Sequence, residues 1–97
     1  MRKFIEEKLV EHFKKCSVDK YGQMSVISPY GLFGDKVEEV FEYIKTDKVI
    51  KVTTYGGRFG AYKGIGPVYD ILDEGLRRRC TEAMQKHNKS YEYAMTH

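Results

Sequence analysis

"VIKVTTYGGRFGAYKGIGP", residues 49–67, is the stretch on which the fold turns. It opens on a β-branched run, passes a glycine pair and ends in Gly-Pro, with no acidic residue. Strand-forming residues on both sides of a short glycine-bearing connection predict a two-stranded hairpin. The first strand is expected over 49–55, the turn over 56–60 and a weaker second strand over 61–65. Pro67 then ends the hairpin and is suited to open a helix, since its missing N–H is not needed in a first turn.

Charge makes the same stretch stand out. The chain has 97 residues and a formal net charge of +3. Residues 1–34 carry six basic and four acidic groups, 35–47 two and five, and 67–97 five and five. Residues 48–66 hold Lys48, Lys51, Arg58 and Lys63 against no acid. The basic surplus is therefore local, which is what makes an anionic partner worth considering.

Upstream, "RKFIEEKLVEHFKKC" puts Ile5, Leu9, His12, Phe13 and Cys16 on one helical face. "MSVIS", residues 24–28, predicts a brief strand. Ser28 before Pro29 is a helix-start signal and Gly34 a stop, so a one-turn helix is expected over Pro29–Phe33. In "DKVEEVFEYIK", Asp35 and Glu38 have capping-box spacing. Val37, Val40, Phe41 and Ile44 then form an apolar stripe, with Glu38, Glu39 and Glu42 turned away from it.

Downstream, Val68, Leu72, Leu76, Cys80, Ala83, Met84, His87 and Tyr91 mark one side of a long helix starting near Pro67. That stripe is longer than a core of this size covers. The distal part, Met84 to Met95, needs a second copy of the chain or must fold back on its own domain. A two-fold pairing is the expectation, because symmetric dimers are the commonest oligomers.

The order helix, strand, short helix, helix, hairpin, long helix resembles that of the winged helix-turn-helix proteins. The likeness is carried by "GDKVEEVFEYIKTDKVIKVTTYGGRFGAYKGIGPVYDILDEG", residues 34–75, and extends as a pattern over most of 3–76. It implies an α+β winged helix-turn-helix fold (α-β-α-α-β-β-α) with a long C-terminal helix, all in one domain over 1–97. It also implies a small regulator or accessory binder of double-stranded DNA, working as a homodimer. By position, residues 36–46 would be the recognition helix and 49–66 the wing. Arg58, Lys51 and Lys63 would serve the wing, and Lys36, Ser28 and Tyr30 the helix-turn-helix. Leu76, Cys80, Met84, His87 and Tyr91 would pair the subunits. The sequence departs from the family at the recognition helix, where Glu38, Glu39 and Glu42 would meet phosphates. The alternative is a protein-interaction module, an inhibitor or adaptor, whose working surface is the acidic helix 35–47.

Other chemistry finds little support. Gly60, Gly64 and Gly66 lack both the Gly-Lys-Ser/Thr ending of a P-loop and a dinucleotide-binding spacing. His12 and Cys16 share a helix face, but two ligands do not complete a metal site. Cys16 and Cys80 read as free buried thiols, with a disulfide between them the open alternative. Arg77, Arg78 and Arg79 fan out at about 100° per residue and read as a solvated face. No catalytic constellation, cofactor or metal is expected. No apolar run reaches the roughly 20 residues of a membrane span, and the first residues carry acids too early for a secretory signal. The expectation is a soluble, cytoplasmic protein that is not an enzyme.

Overall fold

A computed structural model describes residues 1–20, 27–54 and 67–96, with the backbone alone described at 52–54 and 67–69. The elements are α1 (Arg2–Lys15), α2 (Pro29–Phe33), α3 (Val37–Asp47), β1 (Ile50–Thr54), β2 (Pro67–Ile71), α4 (Glu74–His87) and α5 (Lys89–Thr96). A 3-10 turn over Gly34–Lys36 joins α2 directly to α3.

The core forms where α1 crosses α4. Ile5, Leu9, Phe13 and Cys16 on α1 are buried, as are Leu76, Cys80 and Ala83 on α4. Both sets follow the 3.6-residue period, so each helix brings one apolar face to the seam. Each Leu or Ile removed from water there contributes about 2 kcal/mol. The edges of this seam are closed by Leu32 and Phe33 from α2, Val37 and Val40 from α3, Val49 just before β1, and Ile50 and Ile71 from the strands.

Local chemistry sets the helix ends. Ser28 Oγ accepts from Gly31 N–H at 3.3 Å, and Pro29 occupies the first turn of α2. Gly34 stops α2 at φ +61°, a left-handed conformation in which a side chain would be strained. Lys48 ends α3 also at positive φ, in the left-handed helical region at φ 57° and ψ 38°. Asp73 caps α4 by accepting from Leu76 N–H at 2.8 Å.

The winged helix-turn-helix expected from the resemblance is not the architecture found. The described chain is mostly helical, and its strands are β1 and β2, paired antiparallel in one two-stranded sheet. Of the strand expected over 24–28, only Ile27 and Ser28 are described, and neither is extended into a sheet. α2 is a single turn running into α3 through the 3-10 turn, without the separate turn that spaces two helices in a helix-turn-helix.

Three further expectations are corrected. Pro67–Ile71, expected to open the last helix, is instead a strand paired with β1, with Ile50 opposite Ile71 and Thr54 opposite Pro67, and the strand expected over 61–65 lies outside the described residues. Pro67 therefore opens a strand, another place where a missing N–H is tolerated. Asp35 lies inside the 3-10 turn, and α3 starts after Lys36 with no side-chain cap. The long C-terminal helix begins at Glu74 and breaks at Asn88, which is extended at φ −91° and ψ 106°. α5 then folds back, so that Ala94 and Tyr91 join the same core. The expected turn over 56–60 lies outside the described residues.

Candidate functional site

Two polar constructions hold α1 in place, and they differ in burial. At its start, Arg2 pairs with Asp73 at 2.5 Å, Asp47 at 3.3 Å and Glu6 at 3.5 Å. Glu6 also takes Arg79 at 2.7 Å, while Tyr43 donates its hydroxyl to Asp47 at 2.7 Å. The hydrogen bond to Asp73 raises the Arg2 pKa, and the Leu76 amide followed by Arg2 lowers that of Asp73. Asp47 in turn raises the Tyr43 phenol. These groups are partly exposed, so the network fixes α1 against α3 and α4 at modest energy.

At the other end of α1 the polar group is buried. Asn88 is 2% exposed. Its side-chain amide donates to Phe13 O at 2.8 Å and Cys16 O at 2.9 Å, satisfying carbonyls that the end of α1 leaves free. Its Oδ1 accepts from Tyr91 N–H at 2.9 Å and so caps α5. Next to it, Ser90 Oγ accepts from Val18 N–H at 2.8 Å and donates to Val18 O at 2.9 Å.

The most solvent-facing apolar groups of the helix pair lie on the opposite edge. Tyr30 of α2 is 67% exposed, and its ring meets Phe41 edge-on at 6.1 Å. Ile27 is exposed beside it, with Cδ1 3.7 Å from where a Cβ on Gly31 would sit. On α3, Glu38 and Lys45 stand at i−3 and i+4 from Phe41, the positions that share its side of a helix. Glu38, Glu39 and Glu42 are all exposed. Lys45 is spoken for by Glu42 at 2.9 Å. The result is an aromatic patch with a carboxylate rim.

An open groove of about 320 Å³ lies between β2 and α4, lined by Phe13, Asp70, Ile71, Arg77, Cys80 and Met84 together with Thr81. Arg77 donates from Nε to Ile71 O at 3.3 Å, which ties its guanidinium to the wall. Burial pushes the Cys80 thiol up to about 11 and raises Cys16 as well, so neither is a ready nucleophile. Both are free thiols. Among the described residues no group of three or more His, Cys, Asp and Glu is placed to hold a metal. No described helix is long and apolar enough to cross a membrane.

The residues expected at a DNA site are scattered. Arg58 and Lys63 lie outside the described residues. Lys51 is exposed on β1, with Asp70 directly opposite on β2. Lys36 Nζ sits 5.9 Å from the centre of the Phe4 ring. Ser28 is engaged as the α2 cap. Only Tyr30 belongs to an open patch. Of the residues expected to pair subunits, Leu76 and Cys80 are buried within the one chain and Met84 and Tyr91 are half-buried against its core, leaving only His87 exposed. Of the expected distal apolar stretch, Met84, Tyr91 and Ala94 pack on the core of the same chain, while Tyr93 and Met95 are exposed.

Sequence reasoning missed Asn88, Ser90 and the Arg2 network. Asn88 carried a signal, as an N-cap type followed three residues on by the stripe residue Tyr91. The Arg2 pairs to Asp47 and Asp73 carried none, because those partners are 45 and 71 residues away. Comparison with family models, with curated proteins and with solved structures finds no match to this chain.

Proposed function

We propose that this chain is a protein-interaction module that presents the aromatic, acid-rimmed edge of α2 and α3 to a basic partner. The observation that carries the reading is Tyr30, two-thirds exposed with its ring edge-on to Phe41, on whose side of α3 Glu38 stands exposed one turn back. Tyrosine supplies broad contact area at small entropic cost, and aromatic residues are enriched where interfaces concentrate their energy. A carboxylate rim favours encounter with Lys- and Arg-rich surfaces and repels phosphate. The acidic face of α3 is thus better suited to a protein than to a duplex.

A second reading, binding of nucleic acid through 48–66, is kept because Lys48 and Lys51 are exposed and the stretch has no carboxylate. Each phosphate contact would then release counterions and make binding salt-dependent.

One titration separates the two. The isotopically labelled chain is titrated with a lysine-rich amphipathic peptide and, in parallel, with random duplex DNA, at low and high salt. Under the first reading the peptide shifts the amides of Tyr30, Glu38 and Phe41, and the duplex does not bind. Duplex binding that shifts Lys48 and Lys51 and disappears at high salt would replace it with the second. Peptide shifts spread over the whole surface would defeat the first.

A further inference from the structure

The apolar stripe of α4 continues in phase into α5: Leu76, Cys80, Ala83 and Met84 are followed by His87 and Tyr91 at the same spacing. The backbone nearly agrees. Asn88 N–H bonds to Met84 O at 3.1 Å and Glu92 N–H to Asn88 O at 3.0 Å, both four residues apart as in an unbroken helix. The ψ of Asn88, at 106°, is what separates the bent form from a straight helix over 74–96. The side-chain bonds that Asn88 and Ser90 make to the end of α1 and to Val18 reach far back in the chain. Asn88 holds Phe13 and Cys16, 75 and 72 residues away, and Ser90 holds Val18, 72 away. A second copy offers Val18 to Ser90 and the same core to Tyr91 and Ala94.

We propose that α5 is an exchangeable arm: by straightening at Asn88, two copies of this chain trade α5 helices and form a reciprocal dimer. Each α5 then sits at the C-terminal end of its partner's α1, with Ala94 and Tyr91 in the partner's core and Ser90 on the partner's Val18. Exchange of this kind makes few new contacts, because the ones lost within a chain are regained between chains. A one-residue hinge favours it, since little backbone must change. The side chain of Asn88 is the brake. Its bonds to Phe13 and Cys16 depend on the bend, and asparagine is a poorer helix former than alanine. The proposal concerns a different part of the molecule from the Tyr30 surface, and neither depends on the other.

The test is the association state of wild type and Asn88→Ala by light scattering after refolding at high concentration. Asn88→Ala removes the latch and favours the straight helix, so dimerisation strengthens on the order of tenfold. Mixing labelled and unlabelled chains before refolding then gives filtered NOEs between Ser90 of one copy and Val18 of the other, the pair in contact within one chain. Ser90→Ala keeps the question decidable if Asn88→Ala does not fold: it loosens α5 while sparing Asn88, and its dimer must show the same cross-copy NOEs between position 90 and Val18. A folded, monomeric Asn88→Ala overturns the proposal. So does a dimer of either variant, or of wild type, without those NOEs, and so do variants that leave only monomer.

Discussion

The α1–α4 seam and the α2–α3 edge are both made of amphipathic helices, yet the first covers more of its stripe. On α1 Ile5, Leu9 and Phe13 are buried and Val10 half-buried, and on α4 Leu76, Cys80 and Ala83 are buried and Met84 half-buried. On α3 Val37 and Val40 are buried, but Phe41 and Ile44 on the same stripe are half open. The difference follows from length. α1 and α4 have 14 residues each and span the molecule against one another. α3 has 11 residues and leans on α2, which has only five. A short helix cannot roof a longer one, and the uncovered remainder is the aromatic patch. Stability and recognition are thereby assigned to different edges of a small domain.

The sharpest way to break this comparison is in the seam. Leu9→Ala should cost about 3 kcal/mol, because the residue has no exposed surface and the cavity cannot collapse between two packed helices. Urea unfolding would show it as a lower midpoint with an unchanged slope. A loss below about 1 kcal/mol would mean that the seam is not the main source of stability.

The next effect is smaller and depends on pH. His12 is 6% exposed, and its Nε2 has no hydrogen-bond partner among the described residues. Burial, and then Lys15, lowers its pKa below the usual 6.5. The unfolded chain therefore takes up a proton first as pH falls. The neutral-imidazole contribution is complete above about pH 6.5 and is lost as pH falls toward the lower folded value, at no more than about 1.4 kcal/mol per pH unit. Denaturant unfolding from pH 8 to 5 should show this decline, and His12→Phe should flatten it. An equal slope in both proteins would mean that His12 finds a proton acceptor on acidification.

The smallest expected effect on stability falls on the other edge. Tyr30→Ala should change the unfolding free energy by less than about 0.5 kcal/mol, as for an exposed substitution. It should nevertheless weaken binding of the lysine-rich peptide at least severalfold. Together the two results would separate recognition from folding. A large loss of stability would return Tyr30 to the core.

How much was legible beforehand varies with the range of the interactions. The α1 stripe, the Ser28–Pro29 start of α2 and its Gly34 stop are read from neighbouring residues, and the structure has them where the pattern predicts. Pro67 was ambiguous in principle, since a missing N–H suits both the start of a helix and the start of a strand. Its pairing with Thr54 decided the matter from across the sheet. Asp35 had capping-box spacing, but the tight 3-10 turn drew it inside. Asn88 interrupts a stripe that remains in phase, so periodicity alone runs straight through it. The Tyr30 patch was visible only in part: the acidic face of α3 could be read, whereas the ring contact with Phe41 depends on how α2 lies.

The Asn88 amide also orders events in time. The last carbonyls of α1 belong to the first sixth of the chain, and the group that satisfies them is residue 88. During synthesis that helix end must stay wet until residue 88 has emerged, and α1 gains its apolar cover from α4 only once that helix is present. Settling of α1 thereby waits for a segment 72 to 75 residues downstream of the carbonyls it satisfies.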